Sequence, residues 1–259
     1  MRAISPVTSS ELDGLTPDWP APSSVQAVTT TRVGGASLAP FDSFNLGDHV
    51  GDDPAAVMRN RAQLAQALSL PAAPLWLKQV HGVQVVNAAS LVAETNPQAD
   101  ACYTDQPGKI CAVLTADCLP LLLCNRAGTQ VAAVHVGWRG LAAGIIENAV
   151  VALGKSEGDL MAWLGPAIGP QHFEVGEEVR DIFLQHDQQA EQAFQVSRPR
   201  HWLADIYQLA RLRLAHCNVT SVYGGTLCTY SDASRFYSYR RDGITGRMAT
   251  LIWLDSDKR

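Results

Sequence analysis

The chain has 259 residues, of which 47% are hydrophobic, so it can bury a large apolar core. Its formal net charge is −5 and its basic residues form no block. Nucleic acids and anionic membrane surfaces require a concentrated basic field, so the charge argues against both as partners and favours small-molecule chemistry.

The N-terminal segment, residues 1–24, is rich in Ser and Pro, and we expect it to be a loosely structured leader. No linker divides the remainder, so residues 25–259 are predicted to form a single domain. We find neither a secretory signal nor a membrane-spanning stretch, which predicts a cytoplasmic protein. The six cysteines are too sparse for a disulfide scaffold, and we expect free thiols.

The first half of the chain begins with a predicted strand at VQAVTT. A helix is predicted at DPAAVMRNRAQLAQALSL, because Asp and Pro at its start are typical of a helix N-terminus. Short apolar runs then predict strands at LWLKQV, VQVVNA, KICAVLTAD, PLLLCN and VAAVHVG.

Helices and strands continue to interleave in the second half. Helical periodicity appears in GLAAGIIENAVVALG, VGEEVRDIFLQHD and LADIYQLARLRLAHC, whereas MAWLGPAIG predicts a buried strand. Asp242 and Gly243, between two alternating runs, predict a closing β-hairpin. The succession predicts an α/β fold, a single layered domain in which helices flank mixed β-sheets.

Three metal-binding side chains stand where predicted strands end: His81, Cys118 and His135. Taken singly, each is more often a packed core residue than a ligand. Taken together, they could converge on one metal with a coordination position left open, as in catalytic zinc sites. Copper accepts the same donors, but nothing in the sequence indicates redox chemistry, so we expect zinc. Asp117, beside the thiol, is predicted either to orient a ligand histidine or carry a proton, or to be structural.

Several long motifs lie between about Val25 and Leu254: TTRVGGASLAPFDSFNLGDHVGDD, WLKQVHG, TADCLPLLL, HVGWRGLAAGI, WLGPAIGPQHFEVGEEV and FYSYRRDGITGRMA. Together they resemble the motifs of the YfiH-type, laccase-domain family. Members of this family are also described as multifunctional purine nucleoside phosphorylases, polyphenol oxidases and peptidoglycan editing factors.

The resemblance implies a four-layer α-β-β-α fold for the domain, with His81, Cys118 and His135 as the zinc ligands. Val136, beside a ligand, stands where the family more often has alanine. The implied activities are phosphorolysis of adenosine, inosine, guanosine and methylthioadenosine, and hydrolytic deamination of adenosine. The substrates would be purine nucleosides and phosphate, with zinc lowering the pKa of bound water for the hydrolytic reaction. We expect the chain to act as a monomer.

For the substrate phosphate, Arg139 is the first candidate, because a guanidinium makes strong charge-assisted bonds to phosphate. Its alternative role is a surface residue packed over Trp138. Further substrate-binding candidates are Asn45, Arg59, Lys78 and Gln79; the last two point to opposite faces of one strand, so only one can face the pocket easily.

The other histidines and a group of arginines receive weaker predictions. His49, in a glycine-bounded loop, could line the same cleft, but it is more often expected as a surface or loop-packing residue. No metal partner is predicted for His172, His186, His201 or His216. Arginines near the closing hairpin could contact an anionic substrate, although a solvated strand face explains most such groups; they are Arg235, Arg240, Arg241 and Arg247.

Two other activities use the same three residues. Cys118 could be the nucleophile of a hydrolase, with His81 or His135 as its base, or the metal could serve an amidase that edits peptidoglycan precursors. A copper polyphenol oxidase is the weaker alternative, because the chain has seven histidines and none forms a His-x-His pair.

Overall fold

The computed structural model describes residues 13–91, 96–154 and 158–255. Its strands, in chain order, are β1 (Gly14–Leu15), β2 (Val25–Thr30), β3 (Val85–Asn87), β4 (Ala101–Thr104), β5 (Ile110–Thr115), β6 (Leu119–Asn125), β7 (Val131–Val136), β8 (Leu160–Leu164), β9 (Glu174–Gly176), β10 (Phe194–Arg198), β11 (His201–Ala204), β12 (Ser221–Gly224) and β13 (Met248–Leu254). Its α-helices are α1 (Pro54–Ala67), α2 (Trp138–Ala143), α3 (Ile145–Ala152), α4 (Glu177–His186), α5 (Ile206–His216) and α6 (Tyr239–Asp242).

Two large sheets carry the fold. One is antiparallel, with the strand order β1-β2-β13-β5. The other has the order β12-β8-β6-β7-β4-β3 and is mixed, because its two outer pairs are parallel and its inner pairs antiparallel. A third sheet, β10-β11-β9, is small and antiparallel. The predicted α/β class with helix-flanked sheets is confirmed.

The side chains alternate between two apolar layers in each large sheet. In β6, Leu122 and Cys124 face the antiparallel sheet, whereas Leu121 and Leu123 pack against helices α2 to α5. The antiparallel sheet buries its other face against α1 through Leu64. Four layers result, in the order α-β-β-α. Burial on both faces explains why the central strands are continuous apolar runs rather than alternating ones.

The helix predicted near residue 53 is confirmed as α1. The Asp53 side chain accepts a hydrogen bond from the Ala55 N–H, and Pro54 occupies the first turn, where its missing N–H costs nothing. The segment predicted as one helix after Gly140 is divided into α2 and α3 by Gly144, whose φ of 101° is readily adopted only by glycine.

The predicted hairpin at Asp242 is wrong. The segment before it forms the short helix α6, and Gly243 follows with a φ of 70°. One local and one tertiary hydrogen bond override the alternating pattern. The Ser238 side chain caps the helix by accepting the Arg241 N–H, and the Asp117 carboxylate accepts the Arg240 N–H at 2.7 Å.

The predicted strand LWLKQV is also wrong, since only isolated bridges form at Leu75 and Lys78. The Gln79 side chain replaces the ladder by bonding both the N–H and the carbonyl of Leu114, at 2.7 and 2.8 Å.

The predicted leader is only partly open to comparison, because residues 1–12 lie outside the described residues. The part that follows is not loosely attached. Gly14–Leu15 pairs with β2, the Leu15 side chain is buried, and Ser24 donates to the Gly128 carbonyl at 2.9 Å. The six cysteines all lie among the described residues and form no disulfide, as predicted. No helix among the described residues has the length and hydropathy needed to cross a bilayer.

Candidate metal centre and its cavity

The three predicted ligands meet at one end of the mixed sheet. His81 lies in the loop before β3, Cys118 in the turn between β5 and β6, and His135 near the end of β7. Their ligand atoms all lie within 4.8 Å of one another, and the Cys118 Sγ lies 3.6 Å from His81 Nε2. Two imidazoles and a thiol this close together could hold a metal ion through three protein ligands.

Asp100 organises this cluster and was missed by the sequence analysis. Its fully buried carboxylate accepts the backbone N–H groups of Val80, His81 and Gly82 at 2.7 to 3.2 Å, which fixes the His81 loop. The same carboxylate lies 2.8 Å from Nδ1 of His135, so Nε2 of His135 is left to face the cluster. A single carboxylate thus holds both histidines.

Electrostatics favour a thiolate in the cluster. Burial raises the pKa of the Cys118 thiol, but the interactions with His135 and His81 outweigh burial and lower the Cys118 pKa to about 6. Burial likewise disfavours a charged His135, yet Cys118 and Asp100 raise the His135 pKa to about 9. The Asp100 pKa is lowered despite burial, because His135 and backbone N–H groups stabilise the carboxylate. A thiolate is the form that binds metal and acts as a nucleophile.

Among the described residues, the Asp117 carboxylate bonds no ligand histidine, and its role as a proton carrier stays a prediction. Its carboxylate accepts the Thr229 hydroxyl at 2.6 Å and the Arg240 N–H at 2.7 Å, and its own carbonyl accepts the Ile168 N–H. These bonds tie the Cys118 turn to two other segments. Asp100 orients the ligand histidine instead. It lies 18 residues before Cys118 in the chain, and the sheet topology brings it next to the cluster.

Gly137 makes the close approach of the ligands possible. A Cβ added there would lie 2.6 Å from His81 Cδ2 and 3.3 Å from Cys118 Sγ. We therefore expect Gly137→Ala to displace the His81 ring and weaken metal binding by about tenfold or more, the range seen when ligand orientation is lost. Competition with a chromophoric chelator would measure the affinity.

Gly82→Ala is the matched control for that variant. A Cβ at Gly82 would meet its nearest atom, Asp100 Oδ2, at 3.4 Å, an ordinary contact. We expect this variant to keep metal affinity within about twofold of the wild type. Equal affinities for both variants and the wild type would show that the glycine at 137 is not needed for the ligand geometry.

A cavity of about 480 Å³ opens beside the cluster. Apolar side chains line part of it, and Trp138, Tyr239 and His49 add rings. Three arginines complete the lining: Arg139, Arg240 and Arg247. Within the described residues none of the three lies within ion-pair distance of a carboxylate. The volume and the mixed lining are typical of a small-molecule site, and the guanidinium groups favour an anionic ligand group.

The predicted substrate residues divide into two groups. Arg139 and Gln79 line the cavity. The Arg139 guanidinium also lies 4.4 Å from the centre of the Trp138 ring, as its alternative role predicted, and its contact with phosphate stays a prediction. Lys78, Arg59 and Asn45 do not line it. Arg59 is exposed on α1 with Asp53 at 3.8 Å. The Asn45 side chain is buried and bonds Gly47, Asp52 and the Arg247 N–H.

The other candidates near the site also divide by position. His49 lines the cavity, which is the less favoured of the two positions predicted for it. Arg240 and Arg247 face the cavity, whereas Arg235 and Arg241 lie outside its lining and pair with Asp232 and Asp242. The short helix α6 and the turn after it, which replace the predicted hairpin, bring these two arginines to the site.

Fold and site together define a layered α/β protein with a candidate His-Cys-His metal centre in an arginine-lined cavity. Residues 26–255 match the family described as Multi-copper polyphenol oxidoreductase laccase. The chain belongs to this family, and the resemblance seen in its sequence is confirmed.

Similar proteins cover nearly the whole chain. It is 53% identical to the purine nucleoside phosphorylase YfiH of Shigella flexneri over 93% of this chain and 98% of that protein. It is 56% identical to a purine nucleoside phosphorylase of Pseudomonas aeruginosa over the same shares. The crystal structure of a Neisseria meningitidis protein, described as family-model DUF152, superposes on this chain with a TM-score of 0.90 at 51% identity. The match covers 94% of this chain and 99% of that one.

Proposed function

We propose that this protein is a metal-dependent purine nucleoside phosphorylase. The observation that carries the proposal is the shared cavity, which is lined by the His81, Cys118 and His135 cluster, by apolar side chains and by three arginines that pair with no carboxylate among the described residues. The names of the relatives in Shigella flexneri and Pseudomonas aeruginosa support the same activity. The proposed substrates are adenosine, inosine, guanosine and methylthioadenosine, together with phosphate.

The residues fit zinc. One thiolate and two imidazoles, one of them oriented by a buried carboxylate, are the donors of a three-ligand catalytic zinc site; copper would accept them too. When bound by these residues, zinc would supply a Lewis acid and lower the pKa of a coordinated water. The fixed loop at His81 and the tied turn at Cys118 hold the donors in place.

The chain's own residues position the two substrates for phosphorolysis. Ile168, Phe173 and Ile206 offer an apolar wall for the purine and exclude water from the bond to be broken. The arginines hold phosphate against the ribose. A phosphate oxygen then forms the bond to C1′ as the C1′–N9 bond breaks, and the purine leaves with the bonding electron pair and takes up a proton. The products are free base and ribose 1-phosphate.

Product analysis with and without phosphate tests this function. Purified protein should convert inosine to equal amounts of hypoxanthine and ribose 1-phosphate, and only when phosphate is present. Release of hypoxanthine together with free ribose, at a rate independent of phosphate, would make the protein a hydrolase. No release of base from any of the four nucleosides would reject the proposal.

Deamination of adenosine is a second proposed reaction of the same site. Water adds to C6 of the purine and ammonia leaves, giving inosine, so the reaction consumes no phosphate. The metal cluster at one side of the cavity and the apolar wall for the purine support it. Adenosine in phosphate-free buffer should therefore yield inosine and no adenine.

A thiol hydrolase is a different candidate, favoured by one observation. Cys118 Sγ lies 3.6 Å from His81 Nε2, and the pKa of the Cys118 thiol is lowered to about 6. Both features are typical of a nucleophilic thiolate paired with an imidazole. Such an enzyme could cleave an amide of a peptidoglycan precursor. It would retain activity without metal, so metal dependence separates the two candidates.

A further inference from the structure

Arg247 differs from the other two arginines of the cavity. Arg139 and Arg240 are exposed, whereas Arg247 is half-buried. Its Nη1 donates to the carbonyls of Thr245 and Gly246 at 2.9 and 3.0 Å, which anchors the guanidinium from one side. Within the described part of the chain, its Nε and Nη2 have no hydrogen-bond partner and no carboxylate lies within 4.0 Å. A fixed cation with free donors facing a cavity is ready to bind an anion.

The loop before α1 holds Arg247 in this position. The Asn45 Oδ1 accepts the Arg247 N–H at 2.9 Å and the Gly47 N–H at the same distance. Gly47 also provides the space for the arginine stem, because a Cβ there would lie 2.8 Å from Arg247 Cγ. Asn45, a predicted substrate contact that lies outside the cavity lining, is therefore a positioning residue acting through Arg247.

A second polar group lines the same cavity as Arg247. Thr115 ends β5 and pairs with Met248, the residue after Arg247, in the β5–β13 ladder. Thr115 also lines the cavity, and its buried hydroxyl has no hydrogen-bond partner within the described residues. A buried hydroxyl without a partner is costly and is commonly satisfied by a ligand or an ordered water.

We propose that Arg247 and Thr115 form an oxyanion subsite that holds the phosphate group of the reaction, with Arg139 only at its rim. The reaction itself rests on the proposed function. Phosphate is the expected occupant because a guanidinium binds two of its oxygens at once and a hydroxyl can donate to a third. The phosphate group is supplied either by free inorganic phosphate or by a nucleoside monophosphate.

Calorimetric titration in chloride buffer tests the subsite without relying on turnover. The probes are inorganic phosphate and adenosine 5′-monophosphate, and the variants are Arg247→Gln, Thr115→Val and Arg139→Ala. We expect Arg247→Gln to raise the phosphate Kd at least tenfold, equivalent to about 1.4 kcal/mol, and Thr115→Val to raise it about threefold. Arg139→Ala should change it less than Arg247→Gln does.

Arg59→Gln is the matched control, because it removes the same charge from an exposed position on α1 outside the cavity. It should leave the phosphate Kd within about twofold of the wild type. If Arg247→Gln fails to fold, Arg247→Lys keeps the charge and stem but cannot bind two oxygens, and it should still weaken phosphate several-fold. Circular dichroism and metal content identify folded, loaded protein.

The outcomes separate cleanly. Three results would overturn the subsite: wild-type affinity in both Arg247 variants, a loss of affinity found only in Arg139→Ala, or no binding of either probe to the wild type. If only the monophosphate depends on Arg247, the subsite stands and its phosphate belongs to the nucleoside. If phosphate binds through Arg247 but no ribose 1-phosphate forms from any nucleoside, the proposed function fails while the subsite remains.

Discussion

Cys118→Ala should leave the protein folded but nearly free of zinc and without phosphorolysis. The substitution deletes the one thiolate of the cluster, and two imidazoles alone are a much weaker set of zinc ligands. The side chain is small and only half-buried, so little packing is lost. Elemental analysis of the purified variant and the rate of hypoxanthine release measure the two effects.

Cys111→Ala and Cys124→Ala are the matched controls. Both thiols are fully buried between the two large sheets and neither lines the cavity. Each variant should lose about 1 kcal/mol of stability through reduced packing and retain zinc and activity. Retention of stoichiometric zinc by Cys118→Ala, with loss of zinc in Cys111→Ala, would show that the ligand set is wrong.

Asp100→Asn should weaken metal binding by about 10–100-fold, as is typical when the carboxylate that orients a ligand histidine is removed. The asparagine keeps one acceptor oxygen for four donors, namely three backbone N–H groups and the His135 ring. Because the pair with His135 is buried, we also expect the free energy of unfolding to fall by about 3–5 kcal/mol.

Asp232→Asn controls for removal of a carboxylate. Asp232 pairs with Arg235 away from the cavity, and its loss should leave metal affinity unchanged. Affinity is measured by chelator competition, well below the unfolding temperature, and stability by denaturant titration. A loss of stability with unchanged metal affinity would restrict Asp100 to a structural role.

Cys118 and His135 could be predicted from sequence because each lies beside the end of a strand that forms, and strand ends at one sheet edge lie close together. His81 was predicted from the end of a strand that does not form, and its loop is held instead by Asp100. Asp100 could not be predicted with them. It stands between two alanines before a short apolar run, and only the pairing of β4 with β7 brings it to His135. A carboxylate next to alanines does not indicate a place beside a metal centre until the sheet order is known.

The arginines illustrate the same limit. Alternation around Asp242 and Gly243 favours a hairpin, which would have left Arg240 and Arg247 on a solvated strand face. A local cap from Ser238 and a tertiary hydrogen bond to Asp117 stabilise a helical turn instead, and the tertiary bond is not visible in local spacing. The layered fold was predictable because its apolar periodicity is local and because the family motifs extend across nearly the whole chain.

The most direct test of the account measures the rate of phosphate-dependent hypoxanthine release against zinc content per chain. Chelated protein is refilled stepwise and assayed with inosine at each step. The rate should rise in proportion to zinc, approach zero in the metal-free protein and reach a plateau at about one zinc per chain. Full activity in metal-free protein, abolished by alkylation of Cys118, would contradict the metal centre and favour the thiol hydrolase.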